Sequence, residues 1–225
     1  MNPAKVYSIL FLTTLFALNS TSAREDFFAK ISGEPKISLE TPAWFRISLP
    51  FSLLNHPSQV ALAGRKPQNL EQAFNPDFVD NFKIRFFVCF SNNFNKKVFR
   101  SNNYQEANFY EYYGSEVEFS TIKIQRSVQY VNFLFPTSIA ERNEYGRNNL
   151  EPVGYAVEFY IDGAPLEMSN SIYFGRYKEE ETLAKFKQMA MDNSSKNKGI
   201  LIPAHYIFPN LVPPGSHFKN ANGGK

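Results

Sequence analysis

The chain has 225 residues, a formal net charge of +3 and 16% aromatic residues, including 23 Phe and 12 Tyr. Its near-neutral charge and the lack of any basic run longer than a pair exclude an ordinary nucleic-acid-binding surface, so we expect no nucleic-acid partner. A lone cysteine, Cys89, excludes an internal disulfide, and the fold must therefore be held by its hydrophobic core.

Residues 1–23 have the features of a secretory signal peptide. Lys5 precedes an apolar run over residues 6–17, and small residues lead up to a cleavage site after Ala23. The run is too short to cross a bilayer, which takes about 20 apolar residues. We expect an N-terminal linker over residues 24–35 and an exported chain, periplasmic or extracellular, without a transmembrane segment in its mature form.

From residue 36 onward, short stretches that alternate apolar and polar residues are separated by Pro, Gly, Asn or Asp, which is typical of β-strands. The clearest inward-facing set is Phe82, Ile84, Phe86, Val88 and Phe90. Further strands are predicted over residues 44–51, 108–113, 117–124, 128–135, 153–161 and 166–174. Many short strands at this spacing predict an antiparallel sandwich or barrel. The long connection over residues 52–80 is a candidate site by its length alone.

Residues 178–192 depart from the strand pattern and predict an amphipathic helix. The apolar residues at helical spacing are Leu183, Phe186, Met189 and Ala190. Segments 86–90 and 155–161 are apolar on both faces, so their outer face needs a cover, either this helix or a neighbouring subunit. We expect one β domain over residues 36–208 and a flexible tail over residues 209–225, which is rich in Pro, Gly and Asn.

The sequence lacks a recognisable catalytic or metal-binding constellation. His56, His205 and His217 are far apart and fit no ligand spacing. Cys89 has no charged neighbour in sequence that would stabilise a thiolate. We therefore predict no metal, no cofactor and no enzymatic activity. A glycosidase-like pair of carboxylates stays open as an alternative. Its candidates are Glu106, Glu111, Glu116, Glu118, Glu141, Glu144 and Glu158.

Segment 108–113, Asn-Phe-Tyr-Glu-Tyr-Tyr, is the most distinctive candidate surface, because it places aromatic side chains on both faces of a strand. Exposed tyrosines can stack on sugars or anchor a protein partner. The candidate ligand or partner residues are Tyr104, Tyr110 and Tyr112, together with Arg142 and Arg147 of the polar segment 138–149. Alternatively, Phe109 and Tyr113 fill the core, Tyr110 and Tyr112 form cross-strand pairs, and the arginines form surface ion pairs.

Several segments, taken in order, resemble one protein family. They are residues 44–51 (WFRISLPF), residues 75–80 (NPDFVD), the strand that begins at Phe82, Phe135-Pro136 with Glu141-Arg142, and residues 155–163, which end in Asp162-Gly163. Together they resemble small secreted immunoglobulin-like sandwich proteins of verrucomicrobial and related bacteria, some of them encoded beside type IV pilus components. The resemblance covers roughly residues 36–175. It implies an immunoglobulin-like fold without established catalytic residues.

The sequence thus predicts a mainly β chain, an antiparallel immunoglobulin-like β-sandwich with one C-terminal amphipathic helix. The first functional hypothesis is an exported, non-catalytic binding or structural module of the bacterial envelope that is associated with surface-appendage assembly and acts through a protein partner or self-association. The second is a carbohydrate-binding module that uses exposed tyrosines. The third is a glycoside hydrolase-like enzyme with paired glutamates.

Overall fold

A computed structural model describes residues 28–58, 65–69, 73–99, 105–146, 150–166, 168 and 170–219, so the predicted signal peptide lies outside the described residues. The strands are β1 (Ala29–Ile31), β2 (Lys36–Thr41), β3 (Trp44–Leu53), β4 (Phe78–Ser91), β5 (Tyr110–Lys123), β6 (Gln129–Pro136), β7 (Gly154–Ile161), β8 (Ala164–Pro165), β9 (Ile172–Phe174), β10 (Ile202–Pro203) and β11 (Ser216–Phe218). The helices are α1 (Asn93–Val98), α2 (Thr137–Asn143) and α3 (Glu180–Ser194), with 3₁₀ turns at Glu106–Phe109, Ser195–Asn197 and Ala204–Tyr206. Within this described part, no helix has the length and apolar character needed to span a membrane.

The strands form two antiparallel sheets that pack face to face. The first sheet has the order β1-β3-β6-β10, with β2 also paired to β3. The second has the order β11-β5-β4-β7-β8, with β9 also paired to β7. Strand β3 thus pairs with β6 in one sheet, while β4 pairs with β5 and β7 in the other, which is how an immunoglobulin-like sandwich distributes its consecutive strands. The predicted mainly β sandwich with a C-terminal helix is confirmed.

The core between the sheets is built largely from phenylalanine. Phe82 and Phe86 of β4 are fully buried, as the alternation along this strand predicts. Phe82 meets Phe159 edge to face with ring centroids 5.2 Å apart, and Phe86 stacks on Phe133 of the first sheet at 5.1 Å. Such ring pairs add about 0.5–1.5 kcal/mol each beyond the area they bury. The Phe-rich composition therefore joins the sheets without a disulfide.

Helix α3 covers the outer face of the second sheet. Phe186 and Ala190 of the helix are fully buried in a second apolar cluster with Cys89 and Ala156 of the sheet. Phe186 also stacks on Phe174 at 4.5 Å between ring centroids. The doubly apolar strands are thus covered by the predicted helix, which begins and ends two residues later than its predicted bounds.

The structure corrects two expected boundaries. The predicted linker over residues 24–35 contains β1, which pairs with β3 and buries Ala29. The predicted flexible tail over residues 209–225 contains β11, which pairs with β5. Phe218 of β11 packs on Phe119 with ring centroids 4.7 Å apart. Prolines and a glycine of residues 209–219 do lie in turns. The segment is nevertheless held against the sandwich, because β11 pairs with the edge of β5 and Phe218 packs on the core.

Candidate functional site

The structure separates the tyrosines that were predicted to share a surface. Tyr112 is 6% exposed beneath α3, with its ring centroid 6.2 Å from that of Phe186, and burial raises the pKa of its phenol. Tyr110 is half-buried and meets Phe174 edge to face at 5.9 Å. Tyr104 lies outside the described residues. The prediction that Tyr112 offers a ligand surface is wrong, because the helix occupies the face of β5 on which this ring lies.

The opposite face of β5 belongs to the core, as the alternative interpretation predicted for Tyr113, which is fully buried there. Phe109 is buried in the 3₁₀ turn before β5, with its ring centroid 6.2 Å from that of Phe99. The Tyr113 hydroxyl donates to Glu111 Oε2 at 2.9 Å, and the same carboxylate oxygen accepts from the Tyr145 hydroxyl and from Asn143 Nδ2 at 3.2 Å. Burial also raises the pKa of Tyr113 and of Tyr145, so both phenols stay neutral donors. Glu111 thereby satisfies buried hydroxyl groups at this end of the sandwich.

Most of the other candidate glutamates face cations. The pairs are Glu106 with Lys96 at 2.7 Å, Glu116 with Arg85 at 3.1 Å, Glu118 with Lys219 at 2.7 Å, Glu158 with Lys187 at 2.8 Å, and Glu144 with Lys97. Burial of Glu158 opposes its ionisation, but hydrogen bonds from Lys187 and Tyr160 outweigh burial and lower its pKa. A glycosidase acid needs a raised pKa, so Glu158 is shifted in the opposite direction.

A polar cavity lies near α1 and α2, in the region of Arg142. Arg142 is exposed and donates from Nε to Asn143 Oδ1 at 3.1 Å, while Arg147 lies outside the described residues. The cavity has a volume of about 620 Å³. Its described lining is Asn93, Lys96, Lys97, Glu141, Glu144 and Gly146. These walls offer ion-paired groups but no large apolar side chain that would anchor a ligand.

His56, His205 and Cys89 are packed against neighbouring groups, whereas His217 is exposed. His56 stacks on Phe74 at 4.3 Å between ring centroids, and its Nδ1 accepts a hydrogen bond from the Ser58 amide at 3.1 Å. His205 stacks on Phe218 with the ring centroids 3.6 Å apart. Cys89 is buried, and burial raises the pKa of its thiol well above the ordinary value. Over the ranges that the structure describes, no group of three or more His, Cys, Asp or Glu side chains could hold a metal ion.

A groove at the C-terminal end of α3 combines apolar and charged walls. It lies on the outer face of the second sheet and has a volume of about 570 Å³, within the range of about 300–1,000 Å³ that is typical of ligand sites. The sheet contributes Arg85 and Phe87, the helix contributes Met191, and the segment after the helix contributes Pro203 and Tyr206. We call this feature the α3 groove.

The α3 groove lies beside the point at which the helix ends against β5. The helix approaches β5 closely at Gly114, where an added Cβ would lie 2.9 Å from Ser194 Oγ and 3.0 Å from the Phe87 ring. The helix ends at Ser194, and Asn197 Nδ2 then donates to a carbonyl of β5 at 3.0 Å. Arg85, two residues before Phe87 on β4, lines the groove beside this helix end.

Charged and aromatic groups line the open side of the α3 groove. Arg85 donates from Nε to Glu116 Oε2 at 3.1 Å, yet 38% of its side chain is exposed. Lys198 is exposed on the far wall, and Tyr206 is 59% exposed at the rim. The hydroxyl group of Ser194 donates to a helix carbonyl at 3.2 Å, which is a helix-end contact rather than the activation of a nucleophile. The groove can therefore offer apolar contact and hydrogen bonds to a ligand.

Comparisons with protein-family models, with curated proteins and with solved structures give no match to this chain. The candidate site therefore has to be interpreted from its own residues.

Sequence reasoning missed the residues of the α3 groove. The alternation that places Phe82, Ile84 and Phe86 in the core also places Arg85 and Phe87 on the outer face, so a signal for the sheet wall was present. The position of Tyr206 had no such signal, because it depends on where the chain turns after the helix.

Proposed function

We propose that the protein is an exported, non-catalytic binding module of the bacterial envelope that holds an extended segment of a partner protein in the α3 groove and takes part in the assembly of surface appendages. The observation that carries this proposal is that the exposed Tyr206 and the partly exposed Arg85 line the same groove as several apolar side chains. Tyrosine and arginine are enriched among the residues that dominate protein interfaces.

The shape and chemistry of the groove favour a peptide segment. Phe87 and Met191 offer a floor for an apolar side chain. Arg85 and Lys198 can donate to backbone carbonyls or to an acidic side chain, and Glu116 can accept from backbone N–H groups. The glycan alternative relied on the tyrosines of residues 104–112, and Tyr112 is buried beneath the helix. These features support protein binding over the glycan alternative.

Export and a link to appendages rest on the sequence. The signal-peptide pattern of residues 1–23 supports secretion. The resemblance to secreted sandwich proteins encoded beside pilus components supports an envelope role. The ion-paired glutamates, with the lowered pKa of Glu158, support a binding role over the hydrolase alternative.

Site-specific photocrosslinking in the bacterium that produces the protein tests this function. A benzophenone amino acid replaces Tyr206 at the groove rim, and in a matched control it replaces Tyr130, which is 38% exposed on the first sheet. We expect one envelope protein to be captured from position 206 and not from position 130. A Lys198→Trp substitution, which places a bulky side chain at an exposed position of the groove wall, should abolish this capture. Equal capture from both positions, or capture that survives Lys198→Trp, would contradict groove binding.

A further inference from the structure

Strand β2 forms an open edge of the first sheet. Along the described part of the chain it pairs with β3 only, so its outer backbone groups have no strand partner. Ile37 and Leu39 pair with Ile47 and Phe45 and therefore face the sandwich, yet Leu39 remains 62% exposed. An exposed edge with an apolar side chain is a template for pairing with another strand.

The sequence of this edge, Lys36-Ile37-Ser38-Leu39-Glu40, is complementary to itself in the antiparallel direction. When two copies are aligned on Ser38, Lys36 of each lies opposite Glu40 of the other, and Ile37 lies opposite Leu39. Directly opposite residues in an antiparallel pair have Cβ atoms about 4.5–5.5 Å apart and share one face of the sheet. We propose that β2 is a homodimerisation edge, on which two copies of this chain pair antiparallel about Ser38 and join their first sheets into one.

Charge and proline select this register. Moving the centre to Ile37 would place Glu34 opposite Glu40, which is a repulsive pair. A parallel arrangement in register would bring like charges together. Pro35 and Pro42 bound the strand and lack the N–H groups that a longer ladder would need. Charges on an edge usually discourage pairing, but here they match when the partner is a second copy.

Lys36 and Glu40 can each accept a further partner from a second copy. Glu40 contacts Arg46 Nη1 at 3.0 Å through Oε2, and a carboxylate can bond to a second cation through its other oxygen. Lys36 lies 6.0 Å from the centre of the Tyr130 ring on the outer face, within reach of solvent. The pairing covers only a short strand on each side, so the dimer should be weak and concentration-dependent. The dimer edge lies across the first sheet from β10, so the α3 groove stays open in the dimer.

A charge-exchange experiment tests the proposal. Sedimentation equilibrium is measured on the exported chain, on Lys36→Glu, on Glu40→Lys and on an equal mixture of the two variants. Each variant alone would place two like-charged pairs at the edge, so we expect association about tenfold weaker or more than in the original chain. In the mixture both cross-strand pairs become attractive again, so we expect a heterodimer of near-original affinity. Thermal unfolding of each variant shows that it remains folded.

Cross-linking gives an independent measure of the register. A Ser38→Cys substitution places two thiols opposite each other on the symmetry axis, so we expect oxidation to give a covalent dimer. The control is Ser138→Cys on the exposed side of α2, and Cys89 is buried in both proteins. A monomer up to about 1 mM, a dimer unaffected by either charge variant, or equal cross-linking at positions 38 and 138 would overturn the proposal. None of these outcomes bears on capture at Tyr206.

Discussion

Removing the Phe186 ring should release α3 from the sheet. Phe186 is fully buried and stacks on Phe174, and Ala190 is the other apolar side chain of the helix that is fully buried. Replacing a buried phenylalanine by alanine costs about 3–5 kcal/mol. Since the ring lies between the helix and the outer sheet face, most of this free energy should be lost from helix docking rather than from the core between the sheets.

The Cys89 thiol provides the assay, because it is buried in the same cluster as Phe186. The rate of thiol labelling in native buffer reports how often the helix leaves the sheet. Since each 1.4 kcal/mol is a factor of ten in an equilibrium, Phe186→Ala should speed labelling by about 10²–10⁴-fold. Met189→Ala is the matched control, because Met189 is on the same helix and is 37% exposed. It should change the rate only slightly.

The fluorescence of Trp44, the single tryptophan, distinguishes helix release from loss of the whole fold. Trp44 lies on β3 of the first sheet, away from the helix. We expect urea unfolding followed by this signal to change less than the labelling rate of Cys89. An unchanged labelling rate in Phe186→Ala would refute the inference that α3 is the cover of the second sheet.

Three further substitutions test individual contacts by urea unfolding. Burial raises the pKa of Tyr155 to about 12 from about 10 in an unfolded chain. The free energy of unfolding should therefore fall as pH rises from about 10 to 12, and Tyr155→Phe should make this fall less steep. An unchanged slope in the variant would contradict the burial of this phenol. The lowered pKa of Glu158 means that its pairing with Lys187 stabilises the fold above about pH 4.3 and that this stabilisation is lost as pH falls. Lys187→Met should therefore lower the free energy of unfolding by about 1 kcal/mol at pH 7 and by progressively less as the pH is lowered into the acid range. A loss of stability that does not change with pH would count against this pairing. Gly154→Ala should lower the free energy of unfolding by about 1–3 kcal/mol, because the new Cβ would lie 2.6 Å from the Tyr173 carbonyl oxygen. A variant as stable as the original chain would show that β7 and β9 can move apart at this point without loss of stability.

The sequence predicts the fold well where one face of a strand is apolar along its whole length. The alternation from Phe82 to Phe90 placed the core side of β4 correctly, because burial of one face imposes a period of two. The strand expected over residues 166–174 was less accurate: among the described residues of this segment, β9 covers Ile172–Phe174, and β8 ends at Pro165, just before the predicted start. Short edge strands depend on the neighbour that they pair with, and a local pattern does not contain that neighbour.

The candidate site was harder to predict for the same reason. Whether Tyr112 faces solvent depends on where α3 docks, and that docking depends on Gly114 and Phe186, which are distant from each other in sequence. The α3 groove likewise forms only once the helix end, the sheet and the segment around Tyr206 meet. Local periodicity indicates the faces of each element but not the point at which one element stops covering another.

The most direct test of groove binding is amide hydrogen exchange of the chain from residue 24 onward, with and without the partner captured from position 206. We expect protection on binding at residues 114–116 of β5 and at residues 194–206, which line the α3 groove. Protection confined to the α1–α2 end, or an exchange pattern that does not change when the partner is added, would contradict a binding site in the α3 groove.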